Sequence, residues 1–131
     1  MSENEIAKAV VQAAFEIHVE LGPGLLESVY EVTMAHLLTE QGLIVERQKP
    51  IPIEFRGKLF TEGFRADIIV NSLVLIELKS VEQLLPVHKK QTQSYIRLTG
   101  IRLGLLINFN TALIKNGIVR VVHGLPDDPL S

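Results

Sequence analysis

The stretch from residue 63 to residue 80, GFRADIIVNSLVLIELKS, constrains the fold of this chain more than any other part of its sequence. Its apolar and β-branched composition predicts two buried strands joined by a short turn. Asp67, Glu77 and Lys79 are set among those apolar residues. Charged groups in buried strands are costly unless they are paired, hydrated or bound to a metal ion. These three residues are therefore the first candidates for a functional site.

The length of the turn decides whether the two acids meet. Side chains alternate along a strand, so Glu77 and Lys79 share a face. A two-residue turn over 71–72 would point Asp67 away from Glu77, whereas a three-residue loop over 71–73 would set them opposite each other. We expect the three-residue loop, with both carboxylates and the Lys79 amine facing one cleft.

Two adjacent carboxylates repel each other, and a divalent cation between them would reverse that cost. The main-chain carbonyl of Leu78 could add a third oxygen ligand. Lys79 could help to position or deprotonate a metal-bound water and could steady a phosphate charge. A plain Glu77–Lys79 ion pair at a strand end, with Asp67 starting a strand, is the alternative, because the E-x-K pattern is common.

The remaining chain predicts one mixed domain. Helices are expected over about 3–21, 25–41 and 87–99. Strands are expected over about 43–49, 51–56, 59–64, 65–71, 73–79, 102–109 and 112–122. This order predicts a single α/β (α+β mixed) domain over residues 1–131, with a mixed sheet, helices packed against it and a loose tail at 123–131.

Two of the predicted helices carry polar residues on faces that should be apolar. Glu27 lies within the apolar stripe of the second helix, and Gln91 lies among apolar side chains of the third, one turn after His88. An ion pair to Arg65, or a position at the edge of the stripe, would also explain Glu27. His88 and Gln91 could equally be structural or exposed. Together with the three charged strand residues, they could instead line one cleft.

Composition limits the chemistry. The absence of cysteine excludes disulfides, thiolate zinc sites and cysteine nucleophiles. The net charge is −7 over residues 1–46, +5 over 47–102 and zero over 103–131. The basic middle segment holds the charged strands, which favours a site that processes a polyanion, although uneven surface charge is the plainer explanation. No P-loop or G-x-S-x-G pattern appears.

The sequence predicts a protein without membrane association. Its first residues, MSENEIAKAV, do not have the form of a signal peptide, and no apolar run approaches the ~20 residues of a membrane span. A cytoplasmic location is the corresponding expectation.

Several short motifs, in order, resemble the GxxExxY proteins. Residues 24–30 (GLLESVY) match the signature, and residues 65–70 (RADIIV), 76–79 (IELK) and 86–95 (PVHKKQTQSY) look like the motifs that follow it. Residues 103–109 (LGLLINF) resemble the family's late core strand. That family belongs to the PD-(D/E)xK nuclease-like superfamily. Its restriction-endonuclease-like core is a central mixed sheet flanked by helices.

The resemblance implies a metal-dependent nuclease that uses Mg²⁺ or Mn²⁺ and acts on nucleic acid, DNA in preference to RNA. The implied catalytic residues are Glu27, Asp67, Glu77, Lys79 and Gln91. The implied metal ligands are Asp67, Glu77 and the Leu78 carbonyl, with Glu27 nearby, directly or through water. The expected nucleic-acid contacts are Arg65, His88, Lys89, Lys90, Tyr30 and Tyr95.

Two positions depart from the family pattern. Ala66 stands where a proline often precedes the strand Asp, and Ser94 stands where an asparagine is more usual. Neither change removes an implied catalytic side chain. A non-catalytic nucleic-acid-binding or regulatory module with the same fold, and a purely structural ion network, are the alternatives. A homodimer is left open.

Overall fold

The computed structural model describes residues 1–126. Its helices are α1 (Glu3–Leu21), α2 (Glu27–Glu40) and α3 (Pro86–Thr99). Its strands are β1 (Val45–Phe55), β2 (Lys58–Val70), β3 (Val74–Lys79), β4 (Leu103–Asn108) and β5 (Ile118–Val122). A short 3-10 helix, Ile114–Gly117, leads into β5.

The strands form one mixed sheet in the order β1-β2-β3-β4-β5. Neighbouring strands are antiparallel except for β3 and β4, which are parallel and are connected through α3. Helices α1 and α2 cover one face of the sheet with a core that includes Ile6, Met34 and Ile76. Helix α3 covers the other face, where Ile96 packs with Leu75. The predicted mixed sheet with flanking helices is confirmed.

The N-terminal helix follows from local sequence signals. The Ser2 side chain accepts the Glu5 amide, and the Glu5 carboxylate accepts the Ser2 amide, so the two residues form a capping box. The helix ends before Gly22, whose φ of 74° places it in the region that favours glycine. These signals are local in the chain, which explains why the predicted boundaries of α1 agree with the structure.

The strands between residues 43 and 71 are fewer and longer than predicted. Four short strands were expected, and the structure has two long ones that form a hairpin turning at Arg56 and Gly57. Pro50 and Pro52 lie within β1, which is an edge strand, where a residue without an N–H is tolerated. Gly63 lies at an irregularity within β2, where a Cβ would collide with the Ile51 carbonyl.

The C-terminal part also differs from the prediction. The strand expected over 112–122 begins only at Ile118, because the 3-10 helix occupies the preceding residues. The expected loose tail, 123–131, lies partly outside the described residues, which end at 126. Within the described range, none of the three helices has the length and apolar character that crossing a membrane requires.

Gly104 lets α3 approach the sheet closely. A Cβ at this position of β4 would lie 3.0 Å from Thr92 Cγ2 and 3.0 Å from Ile96 Cγ2. Both helix side chains are buried. The absence of a side chain at Gly104 therefore sets how deeply α3 sits on the sheet.

We expect Gly104→Ala to destabilise the protein by about 1–3 kcal/mol, because the added methyl group would push against a packed helix. Urea unfolding followed by circular dichroism would measure the loss. Thr92→Ser removes one of the two methyl groups that the new Cβ meets, so the same glycine substitution should cost less in a Thr92→Ser background. Equal costs in the two backgrounds would contradict this account of Gly104.

Candidate functional site

The site is built where β2 and β3 part. Ile68 pairs with Ile76 and Val70 pairs with Val74, which leaves a three-residue loop over 71–73. The same register continued by one residue sets Asp67 opposite Glu77. The predicted three-residue loop is therefore confirmed, and the register that it sets points both carboxylates to the same face of the sheet.

Asp67 joins the two strands through its side chain. Its Oδ2 accepts a hydrogen bond of 2.8 Å from the Leu78 amide. This carboxylate replaces the main-chain acceptor that a continuing antiparallel ladder would offer. The Leu78 backbone thus lies directly beside Asp67, as the implied ligand set requires, and its carbonyl as a metal ligand stays a prediction.

Glu77 is a buried carboxyl group without a full set of partners. The residue is 6% exposed, and its Oε1 has no hydrogen-bond partner among the described residues. Burial, together with the charge of Asp67, raises the pKa of Glu77 to about 9, although the positive charge of Lys79 opposes that rise. At neutral pH the Glu77 carboxyl of the metal-free protein therefore holds a proton.

Lys79 follows Glu77 on the same face of β3 by strand alternation. It is half-buried, and within residues 1–126 it forms no salt bridge. The alternative of a simple Glu77–Lys79 ion pair is therefore not what the structure contains. The amine is left available to a charged ligand.

A second buried carboxylate, which the sequence analysis missed, supports Asp67 through a bridging glutamine. Glu31 on α2 is 6% exposed, and its Oε2 accepts the Arg47 Nε at 3.1 Å. The amide of Gln48 donates to Glu31 Oε1 and, at 3.3 Å, to Asp67 Oδ1. Glu31 shares the helical spacing of Met34 and Leu38 on the buried stripe, and that spacing was the signal that could have found it.

Glu27 is not where the periodicity argument predicted. It is the first residue of α2 and is exposed, not part of the buried stripe. Its Oε2 accepts the Ser80 amide at 3.0 Å, just beyond the end of β3. The expectation that Glu27 lies within the buried stripe of a docked face is therefore wrong. Within residues 1–126, no group of three or more Asp, Glu, His or Cys residues is arranged to hold a metal ion.

Glu27 instead lines an open cleft beside the end of β3. The cleft has a volume of about 680 Å³ and is bordered by residues 24–28, Ser80 and Asn110. The Ser80 hydroxyl donates to the Leu25 carbonyl at 2.6 Å, which ties the start of α2 to the end of β3. A separate groove of about 440 Å³ between α1 and α2 shares none of these residues.

Helix α3 brings Tyr95 to the carboxylates. Burial raises the pKa of the Tyr95 hydroxyl, and the negative charges of Glu77 and Asp67 raise it further. The ring stacks on Phe64 with centroids 3.7 Å apart. Gln91 is exposed one turn earlier on the same helix, and its catalytic role stays a prediction.

The other predicted nucleic-acid contacts have different surroundings. Arg65, Lys89 and Lys90 are exposed, so they are accessible to a ligand. His88 Nδ1 accepts the Leu85 amide at 3.0 Å and so caps the start of α3. For all four, contact with nucleic acid stays a prediction.

The expected contact of Tyr30 with nucleic acid is wrong. Tyr30 is fully buried and stacks on Phe109 with centroids 4.2 Å apart. Its hydroxyl donates to the Gly22 carbonyl at 2.7 Å and accepts the Leu25 amide at 3.0 Å. Tyr30 therefore shapes the loop before α2, because its hydroxyl satisfies main-chain groups there.

The donor chemistry of this site fits a small divalent cation. Two facing carboxylates and a neighbouring main-chain carbonyl are hard oxygen ligands, and Mg²⁺ usually keeps several of its waters. The buried Glu77 Oε1 without a partner is the atom that such an ion would satisfy. The described groups could thus hold one cation through Asp67, Glu77 and Leu78, with the remaining positions filled by water.

The comparisons with known proteins bear on the family and the fold. A family model described as the PD-(D/E)XK nuclease superfamily matches residues 4–121. A solved structure described as "Crystal structure of SSO0001" aligns with a TM-score of 0.53 at 20% identity, covering 95% of this chain and 61% of that chain. That likeness concerns the fold alone, and this chain spans less than two thirds of that structure's length. No curated protein sequence matches the chain. The mixed sheet and its flanking helices are consistent with the expected restriction-endonuclease-like fold.

Replacing Glu77 by Gln should stabilise the metal-free protein, and the gain should grow with pH. The folded carboxyl keeps its proton up to a pKa of about 9, whereas the ordinary value is 4.5. Because the folded state binds the extra proton, the stability of the wild type falls as pH rises through this window. We expect Glu77→Gln to be more stable by about 1–3 kcal/mol near pH 8 and nearly neutral near pH 4.5, as measured by urea unfolding in EDTA. Glu20→Gln, at an exposed position of α1, is the matched control. A gain that does not change with pH would disprove the burial argument.

Proposed function

Because the chain belongs to the PD-(D/E)XK nuclease superfamily, we propose that it hydrolyses phosphodiester bonds in nucleic acid, DNA in preference to RNA, with Mg²⁺ or Mn²⁺. The observation that carries this proposal is the pair of Asp67 and a buried, partly unpaired Glu77 on facing strands, with Lys79 one step beyond. Membership of the GxxExxY family is part of the proposal and rests on the order of the short motifs.

The cation, when bound, would polarise the scissile phosphate and lower the pKa of an attacking water. Asp67 and Glu77 would hold it together with the Leu78 carbonyl. Glu77 must release its proton for this purpose, which couples occupancy of the site to pH. Gln48, which Glu31 holds on its other side, would keep the Asp67 carboxylate in place.

Lys79 would act on the phosphate, not on the cation. Its positive charge would lie beside the oxygens that gain negative charge as the water attacks. Gln91 on α3 would orient substrate or water at the edge of the site. Glu27, bound to the Ser80 amide, would face the cleft through which a strand of nucleic acid could pass.

A non-catalytic nucleic-acid-binding module is the second candidate function. It is favoured by the dispersed acids, since the three carboxylates of the implied set do not form one cluster within residues 1–126. A module of this kind would bind nucleic acid and cleave nothing. The deciding assay is cleavage of single- and double-stranded DNA and RNA with Mg²⁺ or Mn²⁺.

Divalent metal should bind the folded protein and raise its melting temperature. At a free concentration of about 100 times Kd the stabilisation would be about 2.7 kcal/mol. The affinity should rise up to about tenfold per pH unit below the pKa of Glu77, because binding displaces the proton. Thermal unfolding and calorimetry with Mg²⁺ or Mn²⁺ would measure both effects.

Asp67→Asn should remove most of this metal response, whereas Glu27→Gln should reduce it less, because Glu27 is bound to the Ser80 amide. Glu20→Gln serves as the control that retains it. No heat of binding at millimolar metal would rule out the metal site.

Lys79→Ala should separate an enzyme from a binding module. The variant should bind metal and DNA almost as well as the wild type, because Lys79 is not a proposed ligand and one phosphate contact among several is a small part of the affinity. Its cleavage rate should fall by at least ~100-fold. Lys115→Ala, at an exposed lysine in the 3-10 helix, is the matched control. Equal cleavage by wild type and Lys79→Ala would reject the role of Lys79, and binding without cleavage by any variant would favour the module.

A further inference from the structure

The hairpin of β1 and β2 extends well beyond the sheet. Only residues 68–70 of β2 pair with β3, whereas the β1–β2 pairing continues out to Phe55 and Lys58. The outer part, residues 52–62, is a two-stranded segment that we call the ribbon. All but one of its residues are exposed.

The ribbon exposes aromatic rings that are accompanied by positive charge. Ile53 pairs with Phe60, and Phe55 pairs with Lys58, so these side chains share one side. Phe55 is 59% exposed and Phe60 is 38% exposed. The Arg56 guanidinium lies 5.2 Å from the Phe55 ring centroid, and the Lys58 amine lies 5.3 Å from the Phe60 ring centroid.

This side of the ribbon leads back to the candidate active site. Along β1, Phe55 and Ile53 alternate onto the side that carries Ile51, whose partner on β2 is Phe64. Phe64 stacks on Tyr95, and the charges of the two carboxylates raise the pKa of the Tyr95 hydroxyl. Four of the seven aromatic residues of the chain therefore lie in a row between the carboxylates and the tip of the ribbon. They are Tyr95, Phe64, Phe60 and Phe55.

Two simpler explanations account for this surface less well. Cross-strand pairs such as Phe55 with Lys58 do stabilise a hairpin, but they do not require rings that stay exposed. A second copy of the chain could pair along the edge of β1, but Pro50 and Pro52 lack the N–H groups that such pairing uses. Exposed rings with adjacent cations instead suit a polyanion whose bases are free to stack.

We propose that the ribbon binds single-stranded nucleic acid, with bases stacked on Phe55 and Phe60 and phosphates paired with Arg56 and Lys58. This deepens the proposed function and rests on it, since it places an unpaired segment of the substrate beside the bond that would be cleaved. Duplex DNA hides the faces of its bases, so it would use the two cations but not the two rings.

The test is binding of a fluorescently labelled single strand and of the same sequence as a duplex, measured by anisotropy in EDTA so that nothing is cleaved. Phe55→Ala should weaken single-strand binding by about 5- to 150-fold and leave its salt dependence unchanged. The duplex affinity should change much less. Phe15→Ala removes a ring that is 53% exposed on α1, and it should leave both affinities unchanged.

Two further variants separate stacking from charge and from folding. Phe55→Leu keeps an apolar side chain in the hairpin. We expect this variant to lose about as much single-strand affinity as Phe55→Ala, because both variants lack the ring. Arg56→Ala combined with Lys58→Ala should weaken both forms of DNA and lower the salt slope by about 0.7 per charge on a single strand. Lys115→Ala is the control for the charge variants.

The outcomes distinguish the two proposals. If the wild type binds nucleic acid and the ring variants bind single strands equally well, the ribbon proposal is wrong and the proposed function is unaffected. If the ring variants lose single-strand and duplex affinity equally, specificity for unpaired bases is wrong. If the wild type binds no nucleic acid at all, both proposals fail.

Discussion

Between β2 and β3, the Asp67 carboxylate accepts the Leu78 amide that a main-chain carbonyl would accept in a regular ladder. This one interaction lets two buried strands part without leaving an N–H group unsatisfied. The same carboxylate faces Glu77, and its charge contributes to the raised pKa of Glu77. The Asp67–Leu78 hydrogen bond thus links the two strands, and the Asp67 carboxylate is also one of the two carboxylates of the candidate metal site.

The surroundings of Asp67 and Glu77 differ in the hydrogen-bond donors that they offer. Asp67 is held by donors, since the Leu78 amide and the Gln48 side chain both reach it, with Glu31 behind Gln48. Glu77 is buried with an oxygen that no described group satisfies, and the nearby negative charge raises its pKa. A sheet built only for stability would not keep such a pair. A buried carboxyl group that lacks partners and faces a second carboxylate lowers stability, and such a group is typical of a site that binds a cation or performs chemistry.

The charge asymmetry along the chain becomes an asymmetry between the two sides of the sheet. The acidic segment, residues 1–46, forms α1 and α2 on one face. The basic segment, residues 47–102, forms β2, β3 and almost all of β1, together with α3 on the other face. The candidate metal site and the ribbon both lie in the basic segment. A polyanion guided to this side would thus meet the aromatic ribbon and the carboxylates together.

The sequence by itself determined the features that depend on neighbours in the chain. Capping groups set the start of α1, and strand alternation together with the 71–73 loop set Asp67 opposite Glu77. Tertiary structure decided the rest. Periodicity could have placed Glu31 on the buried stripe of α2, but it does not show where the sheet beneath the helix ends, so it could not show that Glu27 is exposed. Pro50 and Pro52 are compatible with a strand only at an edge, and strand order is not written in local sequence. The raised pKa of Glu77 depends on its burial and on the charge of Asp67, because both act through space and not along the chain.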